Sequence, residues 1–150
     1  MAQAVTEKYE EMVLEVEFDP IGSPGTYTTV CGLVDVTISR TANVDTQEVP
    51  DCDDESLPLS IERQVRSIEV TVSGTGVWAQ SSQGRLKDWF YSSTTLEARL
   101  KDTKASSGDT EIESGPALLT NFSNSRTKGQ KVSAEIEILF DGTPTRTAKA

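Results

Sequence analysis

Chemistry needs side chains that titrate, attack or ligate, and this 150-residue chain is short of them. It contains no histidine. The commonest general base near neutral pH is therefore missing, and with it every Ser–His or Cys–His nucleophile and most zinc sites. Two cysteines, Cys31 and Cys52, are too few for a disulfide framework or a zinc site of their own. Cys31 falls in a strand pattern and Cys52 in an acidic loop; in a reducing cytoplasm both are expected as free thiols. Carboxylates remain. Asp51, Asp53, Glu55 and Glu62 match the first, third, fifth and twelfth positions of an EF-hand calcium loop. Yet Ser56 stands where that loop requires glycine, Pro58 interrupts it, and no helix pattern precedes it. Asp53 and Asp54 could serve as an acid pair, but adjacent residues in a flexible loop lack the positioning that proton transfer demands. No catalytic residue, metal or cofactor is expected.

The elements that would carry any site are mostly strands, because period-two alternation dominates. Residues 12–18 place Met12, Leu14, Val16 and Phe18 on one face and Glu15 and Glu17 on the other. Two glycines and two prolines within 20–25 mark a turn, and 26–39 reads as a long partner strand burying Val30, Val34, Val36 and Ile38. Residues 64–78 form the next strand, with Ile68, Val70 and Val72 inward. Residues 94–100, 117–122 and 132–140 complete a set of about six. One helix is expected over 83–91, capped by Ser81 or Ser82, with Leu86, Trp89 and Phe90 forming an apolar stripe that must pack on a sheet. The expected fold class is mainly β: a β-sandwich or partly open barrel of about six strands with one short helix. Residues 1–142 form one domain, and 143–150 have no packing pattern and read as a flexible tail.

Composition narrows the partners. A 35% apolar, 25% charged chain is globular rather than disordered, and no apolar run approaches the roughly 20 residues needed to cross a bilayer, so no membrane partner is expected. The first eleven residues are polar and acidic, without the basic and apolar regions of a secretory signal, so synthesis in a cytoplasm is the expectation. A formal net charge of −10 opposes adhesion to nucleic acid, whose affinity comes largely from lysine and arginine displacing phosphate counterions. The outward strand positions are also mostly acidic: Glu15, Glu17, Asp35, Glu69, Glu97, Glu135 and Glu137, against Arg99 and Lys101. Like charges across strands repel, so such a face costs stability and calls for another reason to exist.

Residues 41–60 fit no simple domain. They lie between two patterned strands without periodicity of their own, and a structureless connection of about 20 residues is uncommon in a compact domain. Val44, Val49, Leu57, Leu59, Pro50 and Pro58 surround the acidic run 51–55. One reading is a solvated loop; the other is an arm that orders against a neighbouring subunit.

Three stretches together resemble the major tail tube proteins of long-tailed bacteriophages and phage-like gene transfer agents. They are the strand 66–76 leading into the helix at 84–90, the closing pair 115–124 and 131–142, and the long connection 41–60. The resemblance implies a non-enzymatic structural subunit of a virion tail, made in a host bacterial cytoplasm and stacked as six-membered rings. Each subunit would lend strands to one continuous inner barrel, so that neighbours complete each other's sheet edges. It implies that the long loop and the termini mediate contacts between subunits and between rings, which points in the loop to Val44, Val49, Pro50, Leu57 and Leu59. It also implies that Asp35, Glu69, Glu135 and Glu137 line a channel through which DNA passes without specific binding. Expected partners are further copies, tail terminator, tape-measure and distal tail or baseplate proteins. The other readings are a secreted tube from a phage-derived injection system and a carbohydrate-binding β-sandwich, the latter poorly supplied by 6% aromatics.

Overall fold

A computed structural model describes residues 3–149; Met1 and Ala2 of the polar N-terminus and Ala150 of the tail lie outside the described residues. After a short 3-10 turn at Tyr9–Glu11, the chain forms β1 (Met12–Val16), β2 (Thr28–Thr29), β3 (Leu33–Val49), β4 (Ser60–Val77), α1 (Gln80–Ser92), β5 (Leu96–Asp102), β6 (Thr110–Ser125), β7 (Ser133–Phe140) and β8 (Thr145–Ala148). The strands make one antiparallel sheet in the order β2-β1-β5-β6-β7-β4-β3, with β8 beside the first part of β6. The mainly β class with one helix stands, and the strand count rises from about six to eight.

The sheet bends over its own apolar face. Val70, Val72, Ile136 and Ile138 from one half meet Leu14, Val16, Ala98 and Leu100 from the other in a single core. Burying each such side chain contributes about 1.5–3 kcal/mol. Two polar contacts fasten the halves together: the Tyr9 hydroxyl donates to the Leu33 carbonyl at 2.7 Å, and Arg40 of β3 pairs with Glu113 of β6. Helix α1 covers one end. Leu86 and Trp89 are buried, Trp89 meets Phe18 edge-on at 6.3 Å, and its indole N–H donates to the Thr94 carbonyl. Phe90, assigned to the same stripe, is instead 38% exposed.

Several sequence expectations need correction. The first long hairpin does not form. Gly32 breaks the span 26–39 at φ +93, so β2 pairs with β1 at one edge while β3 crosses to the opposite edge. Alternation assigns Val34 to the core, but a register shift between Leu33 and Asp35 turns Leu33 inward and Val34 outward. The helix starts earlier, at Gln80, with Ala79 at the cap and no side-chain cap bond; the Ser82 hydroxyl donates to the Cys31 carbonyl instead. Within the span 143–150 read as a flexible tail, Thr145–Ala148 forms a strand that pairs with β6, and Ala150 lies outside the described residues. The largest correction concerns 41–60. Half of it is strand: β3 runs on to Val49 and β4 begins at Ser60, leaving a connection of only 50–59.

Candidate functional site

The β3–β4 hairpin outgrows the body. β4 pairs with β7 only from Thr71 to Val77, so residues 60–70 of β4 hydrogen-bond to β3 alone. β3 in turn has β4 as its single strand partner along its whole length. The result is a two-stranded arm with uncovered backbone edges, the kind of edge that invites another strand unless blocked. A two-stranded ribbon is marginal in water without a partner for one face.

Next to the body, that face is apolar. Ala42 stands opposite Ile68, and Val44 opposite Val65, with Arg66 as the extra residue of a bulge between those pairs. Farther out on the same side, Thr46 stands opposite Arg63 and Glu48 opposite Ile61. This side continues the core-facing side of the body, yet nothing described here covers it: Val44, Ile61, Val65 and Ile68 are 46 to 55% exposed. Ile68, which alternation places in the core, therefore lies beyond the body. Of the residues singled out for the loop, Val44 belongs to this stripe, while Val49 is half-buried at the end of β3. Pro50, Leu57 and Leu59 are exposed in the connection. Sequence reasoning did not single out Ile61 and Val65 and placed Ile68 in the core, because a bulge and two charged neighbours hide their spacing.

The tip is ordered by its own acids. One Asp51 carboxylate oxygen accepts from the Asp53 and Asp54 amides at 2.8 and 3.2 Å, and Asp54 accepts from the Ser56 amide and hydroxyl. These bonds from Ser56 hold the Asp54 carboxyl below its ordinary value. Glu62 of the imagined calcium loop stands in β4 opposite Gln47, and no group of three or more metal-ligating side chains converges among the described residues.

The opposite face of the same strands is polar and acidic. Asp35, Thr75 and Glu135 lie in register across β3, β4 and β7, Ser73 stands opposite Glu137, and Thr41 opposite Glu69. The four acids singled out from the sequence thus share one outer face, with threonine, serine and asparagine between them. Asp45 and Glu62 extend that face onto the arm, and only the bulged Arg66, 4.0 Å from Asp45, interrupts it. The other half of the sheet differs. There Arg99 donates to Glu15 at 3.2 Å and lies 4.0 Å over the Tyr27 ring, so charge is balanced.

An open groove of about 560 Å³ lies where the two ends of the sheet approach, lined by Tyr9, Met12, Leu14, Val30, Leu33 and Val36 together with the polar Glu7, Lys8, Glu10 and Thr29.

Residues 8–146 match the model of a family described as phage tail tube protein. No curated protein sequence matches the chain. Among solved structures, the tail of an empty gene transfer agent particle with C6 helical symmetry superposes at a TM-score of 0.74 and 18% identity, covering 95% of this chain and 100% of that one. The virion of a native gene transfer agent particle gives 0.70 and 18%, with the same coverage. The SPP1 tail tube gives 0.67 and 10%, covering 95% of this chain and 79% of that one. At these identities the likeness is one of fold.

Proposed function

The chain belongs to the phage tail tube protein family, a structural and non-enzymatic one, and from that premise we propose that its copies assemble into stacked six-membered rings enclosing a channel for DNA. The observation that carries this reading is the arm. A hairpin with uncovered edges and an apolar face that continues the core is an unfinished sheet, and a copy of the same chain is the partner that finishes it at every position of a ring. Val44, Ile61, Val65 and Ile68 would be buried there, with Leu57, Leu59, Pro50 and Val49 at the same contact.

The acidic face would then look into the channel. Asp35, Glu69, Glu135 and Glu137, repeated around a ring, hold phosphates off by like charge, and the hydroxyl and amide side chains between them present no cation to which a phosphate could bind. DNA slides past without sticking. The subunit is made in the bacterial cytoplasm and works in the particle tail, where terminator, tape-measure and distal tail or baseplate proteins meet the ends of the tube.

Negative-stain microscopy of the concentrated protein should show rings or tubes. Protein that stays monomeric at millimolar concentration contradicts the proposal.

A further inference from the structure

The half of the sheet made of β3, β4, β7 and the last part of β6 has two free edges. β3 has only β4 beside it, and β6 beyond Ala117 has only β7, because β5 leaves it there. Val36, Gly74, Ile136 and Phe122 form one register row from the first edge to the second. At the β3 end of that row, Leu33 and Val36 line the open groove of about 560 Å³, within the roughly 300–1,000 Å³ of recesses that take small organic groups. At the β6 end, Phe122 meets Trp78 edge-on at 5.2 Å, and the Lys87 ammonium of α1 lies 5.3 Å over that indole. One helical turn on, Phe90 and Tyr91 stand edge-on at 5.4 Å and remain 38% and 81% exposed. By their spacing Lys87, Phe90 and Tyr91 share one flank of α1, beside the buried stripe of Leu86 and Trp89.

Groove and aromatic flank thus stand on opposite sides of one subunit, at the same height along the strands. Rotation about an axis along the strands, the operation that builds a ring, sets the flank of one copy against the groove of the next. Strand direction agrees. β3, β4, β7 and β6 alternate, so β6 of one copy runs antiparallel to β3 of the next and the alternation continues across the boundary. We infer that the groove receives the last turn of α1 from the neighbouring copy in the same ring, with Phe90 and Tyr91 entering against Tyr9, Met12, Leu33 and Val36. The inference rests on the tube reading and supplies a lateral contact beyond the paired strand edges. The groove rim carries Glu7 and Glu10 beside Lys8, and the incoming flank brings Lys87, so the charges suit each other where the apolar contact ends. Two aromatic rings seated in a ready-formed recess are the kind of anchor that dominates an interface.

Two measurements on the full chain test this. Tyr91→Glu alters a side chain that is 81% exposed, so the denaturant midpoint of the monomer should stay put, while the concentration needed for rings or tubes should rise at least about tenfold. Tyr91→Phe should assemble as the unmodified protein does. A cross-link reads position directly. In a Cys31→Ser, Cys52→Ser background, one chain carries Met12→Cys and another Tyr91→Cys; mild oxidation of tubes grown from the mixture should give the heterodimer and neither homodimer. Placing both cysteines in one chain should give a ladder of covalent products that ends at the closed ring. Tyr91→Glu protein that assembles at the ordinary concentration, or mixed tubes that yield no heterodimer, would overturn the helix–groove contact and leave the tube reading intact. A ladder that runs past the ring would place the contact between rings and overturn it as well. Unmodified protein that never assembles would remove both readings.

Discussion

Asp35, Glu69, Glu135 and Glu137 face one way because strand side chains alternate and the β3–β4–β7 register is unbroken between them. That each acid points away from the apolar positions of its strand was legible in the sequence; that the three strands present one common face was not, because it depends on which strands pair. Asp45 and Glu62 were not legible, because the bulge at Arg66 shifts the phase of β4 and the next residue after each, Thr46 and Arg63, is polar where alternation calls for an apolar one. If the acids keep DNA from adhering, changing Glu69, Glu135 and Glu137 to Lys should leave tubes intact but lower DNA delivery by about tenfold or more, as each lysine gains a phosphate contact. Unchanged delivery by such particles would make the face a plain solvated surface. Two carboxyls titrate in opposite senses. Asp54 is depressed by its bonds from Ser56, so the ordering it provides is present above the ordinary value and is lost as pH falls through the lower folded value. Glu7 is raised, first by a hydrogen bond with Asp102 and then by desolvation, so its contribution is present at low pH and disappears as pH rises through the raised value. An NMR titration should show the Ser56 amide shifting at a pH below the ordinary aspartate range; a midpoint at or above that range contradicts the tip geometry.

The elements show why some boundaries hide. β1, β5 and β7 were readable because one face is buried and the other wet, which is the condition for clean alternation. The outer parts of β3 and β4 have no buried face within the subunit, so alternation carries no signal there and the span 41–60 looks structureless. Gly32 hides another boundary. It holds φ +93, a Cβ there would lie 2.7 Å from the Val77 carbonyl oxygen, and at Gly76 a Cβ would lie 2.1 Å from the Gly32 oxygen. The chain crosses between the sheet's edges at this contact, and one glycine in a β-rich run does not announce it. Gly32→Ala should therefore cost about 1–3 kcal/mol, measured as a lower denaturant midpoint with an unchanged slope. No loss would mean that the crossing is not strained. Replacing Leu57 and Leu59, or Ile61 and Val65, with Asp should act differently. All four are about half exposed, so folding stability should change by no more than about 0.5 kcal/mol per site, while tube formation is lost. A large fall in monomer stability would place these side chains in the subunit's own core.

At the scale of the whole molecule, one sheet does two jobs with its two faces. The inward face builds a core over the body and continues, uncovered, along the arm; the outward face stays acidic from body to tip. Neither property depends on a catalytic group, which is why a chain without histidine can perform the task. The fold class could be read from alternation and the family from the resemblance carried by three stretches of the chain, whereas the identity of the arm as a strand pair required the structure. Amide hydrogen exchange, compared between dilute monomer and assembled tube, tests the central claim most directly. The account predicts that residues 41–49 and 60–70 exchange rapidly in the monomer and become protected on assembly, while the core of β7 and inner β4 is protected in both. Equal protection of the arm in the isolated monomer, or an arm that still exchanges rapidly inside the tube, would contradict it.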